Sequence, residues 1–285
     1  MRIGIVGYGF VGQALSKGLL ENVKIFKVDP KLSTSVCDLI EFKPEVIFIC
    51  VPTPMNNDGD QDISILKEVL KEIKNNEELD GLIVVKSTVH PGSISEIEQI
   101  FPSFVYNPEF LREKHAYDDF INSKLIVFGG DKESSNLLAN IYSKYTKCVN
   151  KDYIFTDLIS ASLIKYAINS FLATKVIFFN EFHNLFNSIN KEESWTNFIN
   201  YLSNDSRIGD SHMMVPGHDG RYGFGGACLP KDTSAITKFA DKKNIELSLI
   251  KSVIDANNKI RSSYNSPTER EDEQNIKYNN QEEII

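Results

Sequence analysis

Three groups of residues carry chemistry by type and spacing. The first is Gly223-Phe224-Gly225-Gly226-Ala227-Cys228-Leu229-Pro230-Lys231-Asp232, which sets one thiol between a glycine-rich turn and a helix start. Glycines permit backbone turns and close ligand approach, and Pro230 suits the first turn of a helix. Cys228 then precedes a helix N-terminus, where free amides, the helix dipole and Lys231 favour a thiolate. The same stretch also reads as a tight turn with a buried, inert cysteine. The second group is Gly7-Tyr8-Gly9-Phe10-Val11-Gly12, lying between an apolar run and a helical pattern. Asp29 closes the next apolar run about twenty residues later, at the spacing of a ribose-binding acid in a dinucleotide fold. A carboxylate there favours NAD over NADP, because it repels a 2′-phosphate. The third group is Lys165 and Asn169, spaced i, i+4 and therefore on one face of an apolar helix. A lysine there either snorkels to water or, with Asn169, serves a buried site.

These side chains need a frame. Short apolar runs at Arg2–Val6, Val23–Val28, Val46–Val51, Leu82–Lys86, Phe104–Tyr106 and Leu125–Phe128 alternate mostly with helical patterns. This predicts an α/β fold, a Rossmann-like doubly wound parallel sheet covered on both faces, with ligands at the carboxyl ends of its strands. Polar loops follow those ends at Val51-Pro52-Thr53-Pro54, Lys86 to Gly92 and Asn107 to Glu113, which makes Thr53, Thr88, Glu109 and Glu113 available to a ligand. From Thr156 to Ile189 runs one long helical segment, apolar nearly all round and so expected to be buried. Helices around Trp195–Leu202 and Leu247–Ile260 follow, and then a strongly polar stretch. The expected organisation is a nucleotide-binding domain over 1–152, an all-helical central domain over 153–261, and a disordered polar tail over 262–285.

Composition narrows the function classes. The chain has 285 residues, 41% hydrophobic and 25% charged, as expected of a soluble globular protein. A net charge of −8 argues against a general nucleic-acid binder. Cys37, Cys50, Cys148 and Cys228 are too scattered for a zinc pair or a disulfide scaffold, so no metal is implied and the thiols are expected reduced. No signal-peptide pattern opens the chain and no apolar run reads as long enough to span a bilayer, so the expectation is a cytoplasmic protein without a membrane role.

As an ordered set, these motifs resemble the UDP-glucose/GDP-mannose dehydrogenase family over about residues 1–261. The carriers are Gly7 to Gly12, Val51-Pro52-Thr53-Pro54, Lys86-Ser87-Thr88, Asn107 to Glu113, Lys165 with Asn169, and Gly223 to Asp232. The resemblance implies oxidation of a sugar C6 alcohol to a carboxylate in two NAD-dependent steps, with a cysteine holding the carbon between them. It implies Cys228 as nucleophile and Asp232 and Lys165 as participants in proton removal. Lys165 and Asn169 would stabilise the oxyanion, and Glu109 with Thr88 and Asp232 would serve thioester hydrolysis. On the cofactor it implies contacts from Gly7, Gly9, Phe10, Val11, Gly12, Asp29, Thr53, Thr88, Glu113 and Lys231. On the nucleotide-sugar substrate it implies contacts from Glu109, Phe110, Leu111, Lys165, Asn169, Arg207, Phe224 and Gly225. The long apolar helix, part of whose surface loses its intrachain cover here, is expected to pack against its copy in a homodimer.

The chain departs from the family pattern twice. The segment between Asp29 and Val46 is shorter than in typical members. Members also continue into a second Rossmann-like domain that holds the uridine, whereas a polar stretch follows Ile260 here. The expectation is a different substrate, a partner supplying the missing half, or a truncated or degenerate copy. A β-hydroxyacid-type dehydrogenase, or a non-catalytic NAD-binding subunit, is the competing reading.

Overall fold

The computed structural model describes residues 1–189 and 192–278. It divides into two compact units, one formed by 1–53 and 62–165, the other by 54–61 and 166–285. The division falls inside the long helix, and the loop 54–61 belongs to the second unit.

In the first unit the apolar runs become β1 (Arg2–Val6), β2 (Lys24–Val28), β3 (Val46–Ile49), β4 (Leu82–Val85), β5 (Val105–Tyr106), β6 (Val127–Gly129) and β7 (Ile154–Thr156). They form one sheet in the order β2-β1-β3-β4-β5-β6-β7. Between them lie α1 (Phe10–Gly18), α2 (Asp38–Phe42), α3 (Ser64–Asn75), α4 (Pro91–Ile100), α5 (Ala116–Ile121) and α6 (Lys132–Tyr145). Strands β1 to β5 are parallel, as expected. β6 meets β5 antiparallel through Tyr106 and Gly129, and β7 runs parallel to β6. In the connection before β6, helix α5 packs Phe120 against Gly18 of α1. β7 escaped the sequence reading because Ile154 and Phe155 on this edge strand are half exposed and show no buried pattern.

Alternate residues of each central strand feed opposite faces. Ile47, Ile49, Ile83 and Val85 join one core with Leu66 and Leu70 of α3 and Ile94 of α4. Val46, Phe48 and Val84 join the other with Leu15 of α1 and Leu138 of α6. Both faces are covered, so the strands carry no polar alternation and read as unbroken apolar runs. Each fully buried aliphatic side chain contributes about 1.5–3 kcal/mol to holding this frame.

The second unit contains most of α7 (Leu158–Ile189), then α8 (Trp195–Leu202), α9 (Leu229–Lys242), α10 (Ser248–Arg261) and α11 (Glu269–Glu273). Phe179 and Phe186 of α7 pack with Trp195 and Ile199 of α8. Ala173 and Ile177 pack with Phe224 and with Val253 of α10. By length and composition α7 could cross a membrane, which corrects the expectation that no run is long enough. Its polar residues Lys165, Asn169, Lys175 and Asn180 are buried and hydrogen-bonded to protein groups, as in a core helix.

The polar stretch after α10 is ordered further than expected. Residues 262–278 fold with α11, whose Thr268 and Glu271 form a capping box, and bury Glu271 and Ile276 completely or nearly so. Composition alone suggested disorder because its charges had no visible partner; Arg261 of α10 provides one. The remaining expected tail, 279–285, lies outside the described residues.

Candidate active site

In the first unit, the glycine turn follows β1 at the point where the strand order reverses, β2 lying on one side of β1 and β3 on the other. Ligands of open α/β sheets bind at such a switch point. Gly7 has φ +89°, and a Cβ there would meet the Cys50 carbonyl at 2.6 Å, so only glycine lets the turn pass the end of β3. Its N–H donates to the Val28 carbonyl (2.8 Å). Gly9 is the N-cap of α1, no side chain among the described residues caps that end, and the space above its α-carbon is open to 4 Å. Gly12 is buried against Gly7, while Phe10 and Val11 are half-buried in the first turn of α1. Asp29 ends β2, and its carboxylate accepts from the Tyr8 N–H (2.7 Å) and the Lys31 N–H (2.9 Å). A helix start with an open approach at Gly9 and an anchored acid at Asp29 fit a dinucleotide.

The loops after β3, β4 and β5 are tied together by polar groups. Thr53 Oγ1 donates to the Thr88 carbonyl (3.0 Å). The Lys86 ammonium donates to Asn107 Oδ1 (2.9 Å), which also accepts from the Tyr142 hydroxyl (2.5 Å), and Asn107 Nδ2 donates to the Val127 carbonyl (2.9 Å). Burial pushes the Lys86 ammonium below and the Tyr142 hydroxyl well above their usual ranges. This network fixes the start of the 107–113 loop. Glu109, buried, then accepts from the Leu111 N–H (2.6 Å) through Oε2, and Lys165 donates to its Oε1 (3.2 Å) and to its carbonyl (2.6 Å). The same ammonium lies 5.4 Å from the centre of the Phe110 ring. Glu109, Phe110, Leu111 and Lys165 are therefore gathered in one place, and the lysine does not snorkel. Glu113 is exposed at the end of the loop.

In the second unit, Cys228 is the N-cap of α9, half-buried, with Pro230 in the first turn. Asp232 stands one turn further in, completely buried. Its Oδ2 accepts from Asn169 Nδ2 (2.6 Å) and its Oδ1 from the buried Lys231 ammonium (2.5 Å). Asn169, Lys231 and Asp232 thus form one buried cluster behind the cysteine. The loop before Cys228 is held by side chains far away in sequence. Asn180 accepts from the Gly223 N–H (2.9 Å), and Asn257 both accepts from the Phe224 N–H (2.7 Å) and donates to its carbonyl (3.0 Å). The Phe224 ring is core packing with Ala173, Ile177 and Val253, so its side chain holds the loop down. Arg207 is exposed and paired with Asp205 on its own loop.

Asn180, Asn257, Arg261 and Glu271 were not read from the sequence as site residues. Asn257 and Arg261 repeat the i, i+4 polar pairing of Lys165 and Asn169 on a helix, and Thr268-x-x-Glu271 is a capping-box pattern, so signals existed.

Two family models match the chain: the UDP-glucose/GDP-mannose dehydrogenase family NAD binding domain over residues 17–146, which starts after the glycine turn, and the same family's central domain over 159–259. A UDP-glucose 6-dehydrogenase of Rickettsia bellii is 38% identical over 220 residues, 75% of this chain and 49% of that protein. UDP-glucose 6-dehydrogenase YwqF of Bacillus subtilis is 34% identical over 75% of this chain and 48% of its own length. The chain thus spans about half the length of these relatives. Among solved structures, a UDP-glucose dehydrogenase from Pyrobaculum islandicum superposes with a TM-score of 0.70 at 27% identity, covering 90% of this chain and 67% of that one. Fold, motif order and these matches agree: the chain belongs to the UDP-glucose/GDP-mannose dehydrogenase family and carries its NAD-binding and central domains.

Proposed function

We propose that this protein oxidises the C6 alcohol of a nucleotide sugar, of the UDP-glucose type, to the carboxylate in two steps through a covalent bond to Cys228. The observation that carries this reading is Cys228 at the start of α9, one turn before a buried Asp232 that is hydrogen-bonded to Asn169. NAD, one molecule for each oxidation, would supply the hydride acceptor. Gly7, Gly9, Phe10, Val11, Gly12 and Asp29 hold it, with Thr53, Thr88, Glu113 and Lys231 as further contacts.

In the first oxidation C6 gives up a hydride and the hydroxyl a proton, which passes to Asp232 directly or through water while the Lys165 ammonium steadies the oxygen that loses it. The Cys228 sulfur adds to the resulting aldehyde, forming a C–S bond and a thiohemiacetal oxygen that Lys165 and Asn169 stabilise. Such donors are each worth about 3–4 kcal/mol at a developing oxyanion. Loss of the second hydride leaves a thioester. Water, activated by Glu109 with Thr88 and Asp232, then attacks the carbonyl carbon. The C–S bond breaks, and carboxylate and thiol are released. Phe110, Leu111, Gly225, Phe224 and Arg207 are the remaining substrate contacts of this reading. We further propose a homodimer through α7, whose Phe171, Phe178, Phe182, Leu185 and Ile189 recur at helical spacing and are exposed.

The test is mass spectrometry of the protein after incubation with NAD and UDP-glucose, alongside NADH yield with a panel of UDP- and GDP-sugars. A thioester adduct on the peptide holding Cys228 and two NADH per product are expected. NAD binding without adduct or NADH for any sugar would favour a non-catalytic subunit. Oxidation of a small hydroxyacid undiminished by Cys228→Ser would favour a β-hydroxyacid dehydrogenase. For the dimer, Phe178→Glu should halve the mass seen by light scattering; an unchanged mass rejects that interface.

A further inference from the structure

The segment after α10 grips the loop that leads to Cys228. Arg221 donates to the Ser266 carbonyl (2.7 Å), and the Tyr264 hydroxyl accepts from the Tyr222 N–H (2.8 Å). Arg261 donates to Asp219 (2.8 Å) and to Glu271 Oε1 (2.5 Å), and that same oxygen accepts from the Tyr278 hydroxyl (2.6 Å) and, at 3.4 Å, from the Gly226 N–H. The side chains of Arg261 and Glu271 are completely buried. Both lie directly over Gly225, where a Cβ would collide with the guanidinium and the carboxylate. The far end of the segment is anchored too: the Met55 N–H donates to the Gln274 carbonyl (3.0 Å), and Asn275 donates to the Met55 carbonyl (2.8 Å).

A buried ion pair is poor evidence for stability as such, since an apolar pair of similar volume often does as well. What this pair supplies is direction. The carboxylate accepts from Gly226, which has φ +77° and lies two residues before the thiol, and a loop with three glycines among its first four residues has little stiffness of its own.

We propose that residues 262–278 brace the cysteine loop, and that Glu271 is the positioning residue, acting on Cys228 through Gly225 and Gly226. The inference rests on Cys228 being the reacting thiol. The brace itself is tested by amide hydrogen exchange on the full chain, which needs no turnover. Three variants are compared: Glu271→Met, the double variant Arg261→Met/Glu271→Met, and Glu271→Gln, which keeps an oxygen acceptor for Gly226. In the double variant the thermal midpoint should recover relative to Glu271→Met, while amides of Gly223–Cys228 exchange at least tenfold faster than in the parent and those of Val46–Ile49 are unchanged. Glu271→Gln should keep loop exchange within about threefold of the parent. Should Glu271→Met not fold, the double variant and Glu271→Gln carry the comparison. Parent-like loop exchange in the double variant would overturn the proposal, reducing Glu271 to a filler of space. Turnover distinguishes the two readings: a parent chain inactive toward every sugar defeats the proposed function, while the exchange data still judge the brace. In an active chain kcat should fall at least tenfold in the double variant, with KM changed less than threefold.

Discussion

Two glycine-rich turns each run into an uncapped helix N-terminus, and they are held in opposite ways. The turn Gly7–Gly12 is fixed by its own sheet: a backbone bond from Gly7 to Val28, the carbonyl of Cys50 against its α-carbon, and Asp29 reaching back to Tyr8. The turn Gly223–Gly226 has no sheet beneath it and hangs on side chains, Asn180, Asn257, Arg261 and Glu271, from three separate segments. The first is pinned by backbone pairing and by one carboxylate at the end of the neighbouring strand. The second depends on a few buried polar atoms, each of which costs about 1–3 kcal/mol or more when left unpaired.

The largest test of this contrast is chemical. Cys228→Ser should lower kcat for nucleotide-sugar oxidation by about 10³-fold or more while leaving NAD affinity by calorimetry unchanged, since the thiol belongs to the second turn alone. Next in size, Arg261→Met leaves the Glu271 carboxylate buried without its cation. A loss of about 3–5 kcal/mol in denaturant unfolding is expected, and a loss below about 1 kcal/mol would show that the second turn does not depend on its charges. At the first turn, Gly7→Ala forces a side chain into a left-handed backbone against Cys50. It should cost about 1–3 kcal/mol of stability and weaken NAD binding, and an unaltered Kd would break the assignment of this turn. Asp29→Ala frees the Tyr8 and Lys31 amides and should cost about 1 kcal/mol in NAD binding, with reduced discrimination against NADP on titration of both.

The smallest effect is in pH. Burial alone would raise the Glu271 carboxyl, but the Thr268 N–H, the Tyr278 hydroxyl and Arg261 together hold it below the usual carboxylate range. A depressed carboxyl contributes its stability in full above the ordinary range, and loses it as pH falls from about 4.3 through the lower folded value. Acid unfolding of Glu271→Gln followed by circular dichroism should therefore be less steep below about pH 4 than that of the parent. Equal slopes would remove Glu271 from the acid response.

Much of the frame was legible because its signals are local. Strands β1 to β6 and the long helix follow from apolar runs and their breaks, and the turn at Gly7 from glycine spacing and the acid at Asp29. The reversal of β6 was not legible, since an apolar run has the same pattern whichever way the strand points. Cys228, Asp232, Lys165 and Asn169 were visible as residue types, but their pairings were not. Asn169 meets Asp232 across 63 positions and Lys165 meets Glu109 across 56, distances over which periodicity is silent. The polar stretch after α10 was misjudged for the same reason: a charge-rich segment looks disordered until its buried counter-charge, Arg261, is known.

What the sequence determined by itself, then, is the sheet, the dinucleotide turn and the placing of one thiol before a helix. All of these follow from backbone geometry and hydrophobic burial within a few residues. The tertiary structure alone decided that Lys165 meets Glu109 and Asn169 meets Asp232, and that the loop leading to Cys228 is contacted by Glu271. A buried charge is tolerated only beside its partner, and folding brings the partner there from any distance in sequence.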